Sequence, residues 1–294
     1  VTASLTVLVN RSAGSSRPAA EIEHVLHERG IDATVRVVPA EKLRDVAAEL
    51  AREAPIVGVA GGDGSVNAVA SGVVGTDAAL AVLPLGTLNH FAQDIGVGDS
   101  IEQAADAIAA GNVRRVDLGE VNDRIFLNNS SIGLYPRAVR ERERHQRRGL
   151  SKWPAMAVSL ATSIRRYHVH DLELELEDGT RRDCRTPVIL ISNNEYEMGL
   201  PEPVHRTRLD AGQLCLYAAD DPGRARLLRL GIAAALGRLH DQTEVDVECL
   251  QRLTVHARDP ALPVALDGEP HDFRPPLRYR ILPLALRVIA PPTS

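Results

Sequence analysis

Along the first part of the chain, short apolar runs alternate with longer stretches whose apolar residues recur every three or four positions. Residues 5–9, 35–38, 56–60 and 80–83 are compact and rich in valine, isoleucine and leucine, as buried strands are. The stretches between them read as helices. Pro18 opens one that Gly30 can close, the usual asymmetry of helix ends. Residues 41–53 place Leu43, Val46, Ala47 and Leu50 on one face. Ser100 followed by Gln103 is a capping box, and Gly111 lies just past the end of that helix. Strand alternating with helix predicts a parallel, Rossmann-like sheet.

The style then changes. Residues 113–121, the turn signal Asn122-Asp123 and residues 124–129 read as two antiparallel strands. Leu172, Leu174 and Leu176 alternate with Glu173, Glu175 and Glu177 before an Asp178-Gly179 turn, which gives a half-buried strand with a solvated acidic face. Further strand patterns cover residues 187–192, 213–218, 244–255, 262–266 and 282–289, and residues 222–239 read as a helix. The expected class is therefore α/β. An N-terminal α/β domain spans residues 1–122, and a β-rich, sandwich-like domain spans 123–294, with a C-terminal tail placed to return to the first. Residues 137–148 are dense in arginine and precede an apolar helix. That pairing suits either a solvated face or docking on anionic lipid.

Composition narrows the classes. The chain has 294 residues, 44% of them hydrophobic, and a net charge of -5. That length accommodates two cores, and the weak acidity argues against general nucleic-acid binding. No apolar run approaches the ~18–20 uncharged residues of a membrane span. The N-terminus shows no signal-like segment. Cys184, Cys215 and Cys249 are widely spaced and odd in number, so they are expected as small buried hydrophobes of a reducing compartment. A cytoplasmic protein is the expectation.

Two loops carry the candidate chemistry. The strand at 56–60 ends in Gly61-Gly62-Asp63-Gly64-Ser65 and a helix follows at once. Glycines leave backbone N–H groups uncovered, and a helix N-terminus adds more of them with a partial positive charge, which favours a phosphate. Asp63 would repel a bare phosphate, so a metal ion or hydroxyl is expected between them. The strand at 80–83 repeats the layout with Pro84-Leu85-Gly86-Thr87-Leu88-Asn89-His90-Phe91-Ala92-Gln93-Asp94. Adjacent strands would put both loops on one sheet edge, where open α/β sheets bind ligands. Asn10 and Ser12, after the first strand, are candidate phosphate neighbours, although such a loop by itself is more often a plain βα connection.

Together these loops resemble the catalytic domain of the diacylglycerol kinase and sphingosine kinase family, especially its bacterial lipid kinases. The resemblance implies ATP and Mg²⁺ as cofactors and a lipid hydroxyl as acceptor. It assigns nucleotide contacts to Asn10, Ser12, Gly61, Gly62, Asp63, Gly64, Ser65, Gly86, Thr87 and Asn89. It also gives meaning to Asp267-Gly268-Glu269, which as a bare motif is a hairpin turn. Asp267 falls at the family's general base, and Glu269 joins it as a catalytic residue. A carboxylate within reach of a lipid hydroxyl can take its proton as phosphoryl transfer proceeds. The family's metal-linked acidic network maps to Asp63, Asp117 and Glu269. Its fourth position is His90, whose imidazole cannot supply the missing negative charge, so Asp94 is a candidate replacement. A second departure is Ala211 in Leu209-Asp210-Ala211-Gly212, where the family holds a structural metal, with Asp210 as the candidate substitute.

The implied partners are a lipid substrate met peripherally at a membrane surface and no nucleic acid, with a second copy of the chain kept as a candidate. Two alternatives stand beside the lipid kinase. One is a kinase of the NAD kinase type, which shares Gly-Gly-Asp-Gly. The other is a non-catalytic nucleotide or lipid binder, suggested by His90 and Ala211.

Overall fold

The structure, a computed structural model, describes residues 5–11, 19–86, 89–133, 169–196, 206, 208–218, 246–260 and 262–292. Ser12, Thr87, the arginine-rich stretch 137–148, the apolar segment after it and the helix expected at 222–239 lie outside the described residues.

The parallel half is built from β1 (Leu5–Asn10), α1 (Ala19–His27), β2 (Ala33–Val38), α2 (Leu43–Leu50), β3 (Ile56–Gly61), α3 (Asp63–Val73), β4 (Ala79–Pro84), α4 (His90–Asp94) and α5 (Ile101–Ala110). The antiparallel half contains β5 (Val113–Val121), β6 (Arg124–Phe126), β7 (Asn129–Gly133), β8 (His170–Leu176), β9 (Arg181–Thr186), β10 (Val188–Asn193), β11 (Leu214–Ala218), β12 (Asp246–Leu250), β13 (Arg252–Ala257), β14 (Leu262–Leu266), β15 (Glu269–Phe273) and β16 (Leu277–Ile289). One sheet runs β2-β1-β3-β4-β16-β13-β8-β9, with β5 on β16 and β6 on β5. The other runs β12-β11-β10-β7-β14-β15. The α/β class with a parallel core and a β-rich C-terminal half is thus the one the patterning predicts.

β4 is buried at every position, as a parallel strand covered on both faces must be. Its neighbours are β3 on one side and the distant β16 on the other, both parallel to it. β16 thereby joins the halves: Leu286, Val288 and Ile289 pack in the core of the α/β half, while Leu277, Tyr279 and Ile281 pack in the β-rich core. Between these ends its register on β5 shifts between Leu282 and Leu286, and Leu284 has φ +50°. Pro283 has no N–H to give to a ladder, which is why a bulge sits here.

Two runs that read as single strands each divide between the sheets. Residues 124–129 split into β6 and β7, with Leu127 and Asn128 crossing over, and residues 244–255 split at Gln251 into β12 and β13. Both runs stay apolar on one side because the two sheets share a core, so the crossing leaves no mark in the pattern.

The cysteine expectation is corrected. Cys215 on β11 and Cys249 on β12 stand directly opposite in register and form a disulfide, with Cα atoms 4.1 Å apart. They are 34 residues apart in sequence, and only the strand pairing brings them together. Cys184 takes no part in a disulfide. A disulfide belongs to an oxidising setting, so the cysteines lend no support to a reducing compartment. Among the described residues no helix is long and apolar enough to cross a membrane.

α2 and α3 lie close because Gly72 has no side chain. A Cβ there would strike the Arg44 carbonyl oxygen and sit 2.9 Å from both Ala47 Cβ and Ala48 N. Gly72→Ala is therefore expected to lower stability by about 1–3 kcal/mol, the usual cost of overpacking. A fall in the denaturant midpoint at constant slope would register it; an unchanged midpoint would mean the helices separate without loss.

Candidate active site

The C-terminal ends of β1, β3 and β4 share one edge of the sheet, at Asn10, Gly61 and Pro84. β1 lies between β2 and β3, so the chain leaves it in opposite directions and opens a crevice at that edge. Asn10 stands at the rim of this crevice. The helix behind the glycine loop begins earlier than its apolar pattern suggests. α3 starts at Asp63, capped by the extended Gly62, whose carbonyl accepts the Ser65 and Val66 amides at 2.9 and 3.1 Å. Gly64 and Ser65 are thus in its first turn, and the Asp63 and Gly64 amides precede its first internal bond. Ser65 folds back on Gly61, where a Cβ would lie 2.8 Å from Ser65 Cβ.

The second loop is pressed against the first. The Leu85 amide donates to the Gly61 carbonyl at 3.0 Å. A Cβ at Gly86 would lie 2.6 Å from Gly62 Cα. Asn89, left-handed at φ +50°, spends its side chain on this loop: Oδ1 accepts the Gly86 amide at 2.8 Å and Nδ2 donates to the Gly86 carbonyl at 3.0 Å. Asn89 therefore shapes the loop. The Asp63 carboxylate accepts the His90 and Phe91 amides at 3.4 and 3.3 Å, so the start of α3 is tied to the start of α4.

Asp267 and Gly268 form the tight turn between β14 and β15, with φ +48° and +85°. Both positive angles fit a two-residue hairpin turn, which an Asp-Gly pair supplies. The hairpin is also what aims the carboxylate. Asp267 Oδ1 accepts the Asn128 and Asn129 amides at 2.7 and 3.1 Å, and Oδ2 accepts the Leu127 amide at 2.8 Å and Asn67 Nδ2 at 2.6 Å. Burial pushes its carboxyl up from the ordinary range, while the amides of Leu127 and Asn128, the Asn67 side chain and the Asn129 amide pull it down. Two residues on, the Glu269 carboxylate lies over the first turn of α3: a Cβ at Gly64 would meet its Oε1 at 2.9 Å. So the Asp-Gly-Glu turn, about 200 residues beyond the glycine loop, is folded onto it.

The acidic residues expected to share a metal are not gathered into one shell. Among the described residues no group of three His, Cys, Asp or Glu side chains is close enough to hold an ion. Asp117, 1% exposed, spends its carboxylate on neutral donors: Asn194 Nδ2 at 3.1 Å, the Gly212 amide at 2.7 Å and the Leu284 amide at 2.7 Å. It reaches the β16 bulge and pins the loop before β11. Asp94 is also engaged, by Arg206 at 2.6 Å. Asp210 is exposed and pairs with Arg208 at 3.3 Å, while the Ala211 amide donates to Asn194 Oδ1 at 3.1 Å. Asp63 and Glu269 remain suited to a hard cation, since Asp63 accepts only long bonds and both flank the same helical turn.

Several participants escape a sequence reading. Asn67 lies two residues past the glycine motif and carries no signal of its own. Asn193 and Asn194 form an amide pair whose side chains reach the Asp117 carbonyl and carboxylate at 2.8 and 3.1 Å. Arg206 carries no local signal at all.

A profile of the diacylglycerol kinase catalytic domain matches residues 4–121. Curated relatives described as "Probable lipid kinase YegS", from Salmonella newport and Salmonella heidelberg, are each 35% identical over 148 residues. That stretch is 47% of this chain and 48% of either relative, so the likeness spans about half their length. A solved structure described as a diacylglycerol kinase from Bacillus anthracis superposes with a TM-score of 0.71 at 18% identity, covering 98% of this chain and 97% of that one. Another from the same organism reaches 0.75 at 20% identity with the same coverage. At these identities the structural likeness speaks for the fold. Over residues 4–121, then, the chain is similar to the diacylglycerol kinase catalytic domain.

Proposed function

We propose that this protein transfers the γ-phosphoryl group of ATP to a hydroxyl of diacylglycerol or a related lipid. The observation that carries the reading is the placement of the Asp-Gly-Glu turn on the first turn of α3, with Glu269 against Gly64 and Asp267 bonded to Asn67. The triphosphate lies across the touching loops at Gly61–Ser65 and Gly86, near uncovered amides and a helix N-terminus. Asp63 and Glu269 would hold Mg²⁺, which offsets the triphosphate charge. Asp267 serves as the base for the acceptor hydroxyl.

A carboxylate has about four lone-pair sites, and here all are occupied. Three donors are backbone amides held in a turn; the fourth, the Asn67 side chain, leaves by rotation that also gives up its long bonds to the Ile125 carbonyl and Ser71. The acceptor hydroxyl takes its place at Oδ2. Asn67 lines a cavity of about 560 Å³ together with Gly64, Ile125, Leu266, Glu269 and Leu282. Its apolar wall at Ile125, Leu266 and Leu282 is bordered by the charged Arg44, Glu120, Asp123, Arg124 and Arg280, which suits the polar, hydroxyl-bearing end of an apolar body. Such an acceptor resides in a bilayer, so the enzyme meets it peripherally at a membrane face.

The same saturation of Asp267 favours a second reading, a nucleotide or lipid binder without turnover. ATP consumption with Mg²⁺, measured against lipid hydroxyls in mixed micelles with NAD and fructose 6-phosphate included, separates the two. Transfer to a lipid supports the kinase; transfer to NAD or the sugar redirects it to a small-molecule kinase. Binding of ATP without transfer to any acceptor leaves the binder.

His90 bears on the metal. Its backbone bonds Asp63 and its side chain is exposed beside the site. His90→Asp adds a carboxylate there, so the Mg²⁺ concentration for half-maximal turnover is expected to fall. An equal or higher requirement would remove position 90 from the metal's surroundings.

A further inference from the structure

Arg206 is 2% exposed and uses every donor of its guanidinium. Nε and Nη2 donate to Asp94 Oδ2 at 2.9 and 2.6 Å. Nη1 donates to the Leu127 and Asn193 carbonyls, both at 2.8 Å, and Nη2 also donates to Asn128 Oδ1 at 2.8 Å. An arginine has five N–H donors in a fixed fork, and each has an acceptor here. An ion pair alone would need only the two that reach Asp94. Two of the others go to Leu127 and Asn128, whose amides hold the Asp267 carboxylate.

Followed outward, these bonds close a circuit. Asp63 at the start of α3 binds the amides that open α4. Asp94 ends α4 and binds Arg206. Arg206 binds the crossover residues Leu127 and Asn128, these bind Asp267, and Asp267 binds Asn67 of α3. We infer that Arg206 is a positioning residue: it locks the turn carrying Asp267 to the helix after the second loop, and so sets where Asp267 stands relative to the glycine loop. The inference rests on the kinase reading for its effect on rate. Its physical basis is that misplacing a reacting group by about 1 Å can cost roughly 10²-fold. Without the fork, the turn keeps its bond to Asn67, which the acceptor is proposed to displace, and the crossover keeps Asn193 Nδ2 between the Leu127 and Asp117 carbonyls, but its link to α4 is lost.

The test uses the full chain. Arg206→Lys keeps a charge opposite Asp94, but a single nitrogen on a flexible stem cannot span both Asp94 and the crossover. Its kcat is expected to drop roughly 10- to 100-fold while KM for ATP moves less than about 3-fold, since the loops that hold ATP stay in place. Wild-type kcat in this variant overturns the inference. Should Arg206→Lys fail to fold, Asn128→Ala leaves the ion pair whole and removes only the Oδ1 acceptor. A fall in kcat of about 5-fold or more supports the inference, and a normal kcat overturns it.

A readout independent of turnover is amide hydrogen exchange. The peptide containing Leu127–Asn129 is expected to exchange faster in the variant, with the α1 peptide unchanged. If the wild type phosphorylates no acceptor, the kinase reading fails and exchange alone decides: unaltered protection at the crossover then overturns the role of Arg206.

Discussion

Asp267→Asn is expected to lower kcat by at least ~10²-fold while ATP still binds, the lower range for loss of a general base. It is also expected to destabilise the fold. An amide cannot match the carboxylate's acceptor set: with its oxygen facing the Asn128 and Asn129 amides, its NH₂ group faces the Leu127 amide and Asn67 Nδ2, donor against donor. A mispaired buried donor costs about 1–3 kcal/mol. The two effects separate in the pair Asn67→Ala with Asp267→Asn, which removes one of the opposed donors and introduces no carboxylate. Recovered thermal stability with kcat still low assigns the loss to chemistry. Recovered kcat would take Asp267 out of the mechanism. Burial raises the Asp267 carboxyl, so in the wild type the active, deprotonated form is lost as pH falls through a value above the ordinary carboxylate range. The acid limb of kcat/KM should lie there and vanish in Asp267→Asn.

The second large effect is expected at Gly86. Gly86→Ala places a methyl 2.6 Å from Gly62 Cα and 2.6 Å from Asn89 Oδ1. The first neighbour is backbone, and the second is already bonded to the Gly86 amide. Neither can move without opening the two loops. Overpacking of this kind costs about 1–3 kcal/mol. The parted loops should raise Kd for ATP by roughly 10-fold or more, since 1.4 kcal/mol is a factor of ten. Calorimetric titration with ATP and Mg²⁺ reads this directly. An unchanged Kd would mean that the nucleotide does not lie across the contact between the loops.

The α/β half was legible because its signals are local. Apolar runs of strand length, helix caps at Ser100 and Gly111, and glycines after β3 each act within a few residues. The Asp-Gly turn was legible in the same way, as a hairpin. What resisted reading were contacts between segments far apart. The bulge in β16 brings the Leu284 amide to the Asp117 carboxylate across 167 positions. Register alone makes a disulfide of Cys215 and Cys249. The crossovers at Leu127–Asn128 and Gln251 are hidden because one core serves both sheets.

By itself, then, the sequence determined the class of fold, the two loops at one sheet edge and the residue types that phosphoryl transfer would need there. Local propensity and hydrophobic period act at short range and are written in the order of residues. Only the tertiary structure decided which carboxylates meet. Asp267 and Glu269 are folded onto α3, whereas Asp117 and Asp94 are consumed by Leu284, Gly212, Asn194 and Arg206. The reason is physical: a buried carboxylate must be satisfied by whichever donors the packing brings to it, and those donors come from strands and loops that share no stretch of sequence.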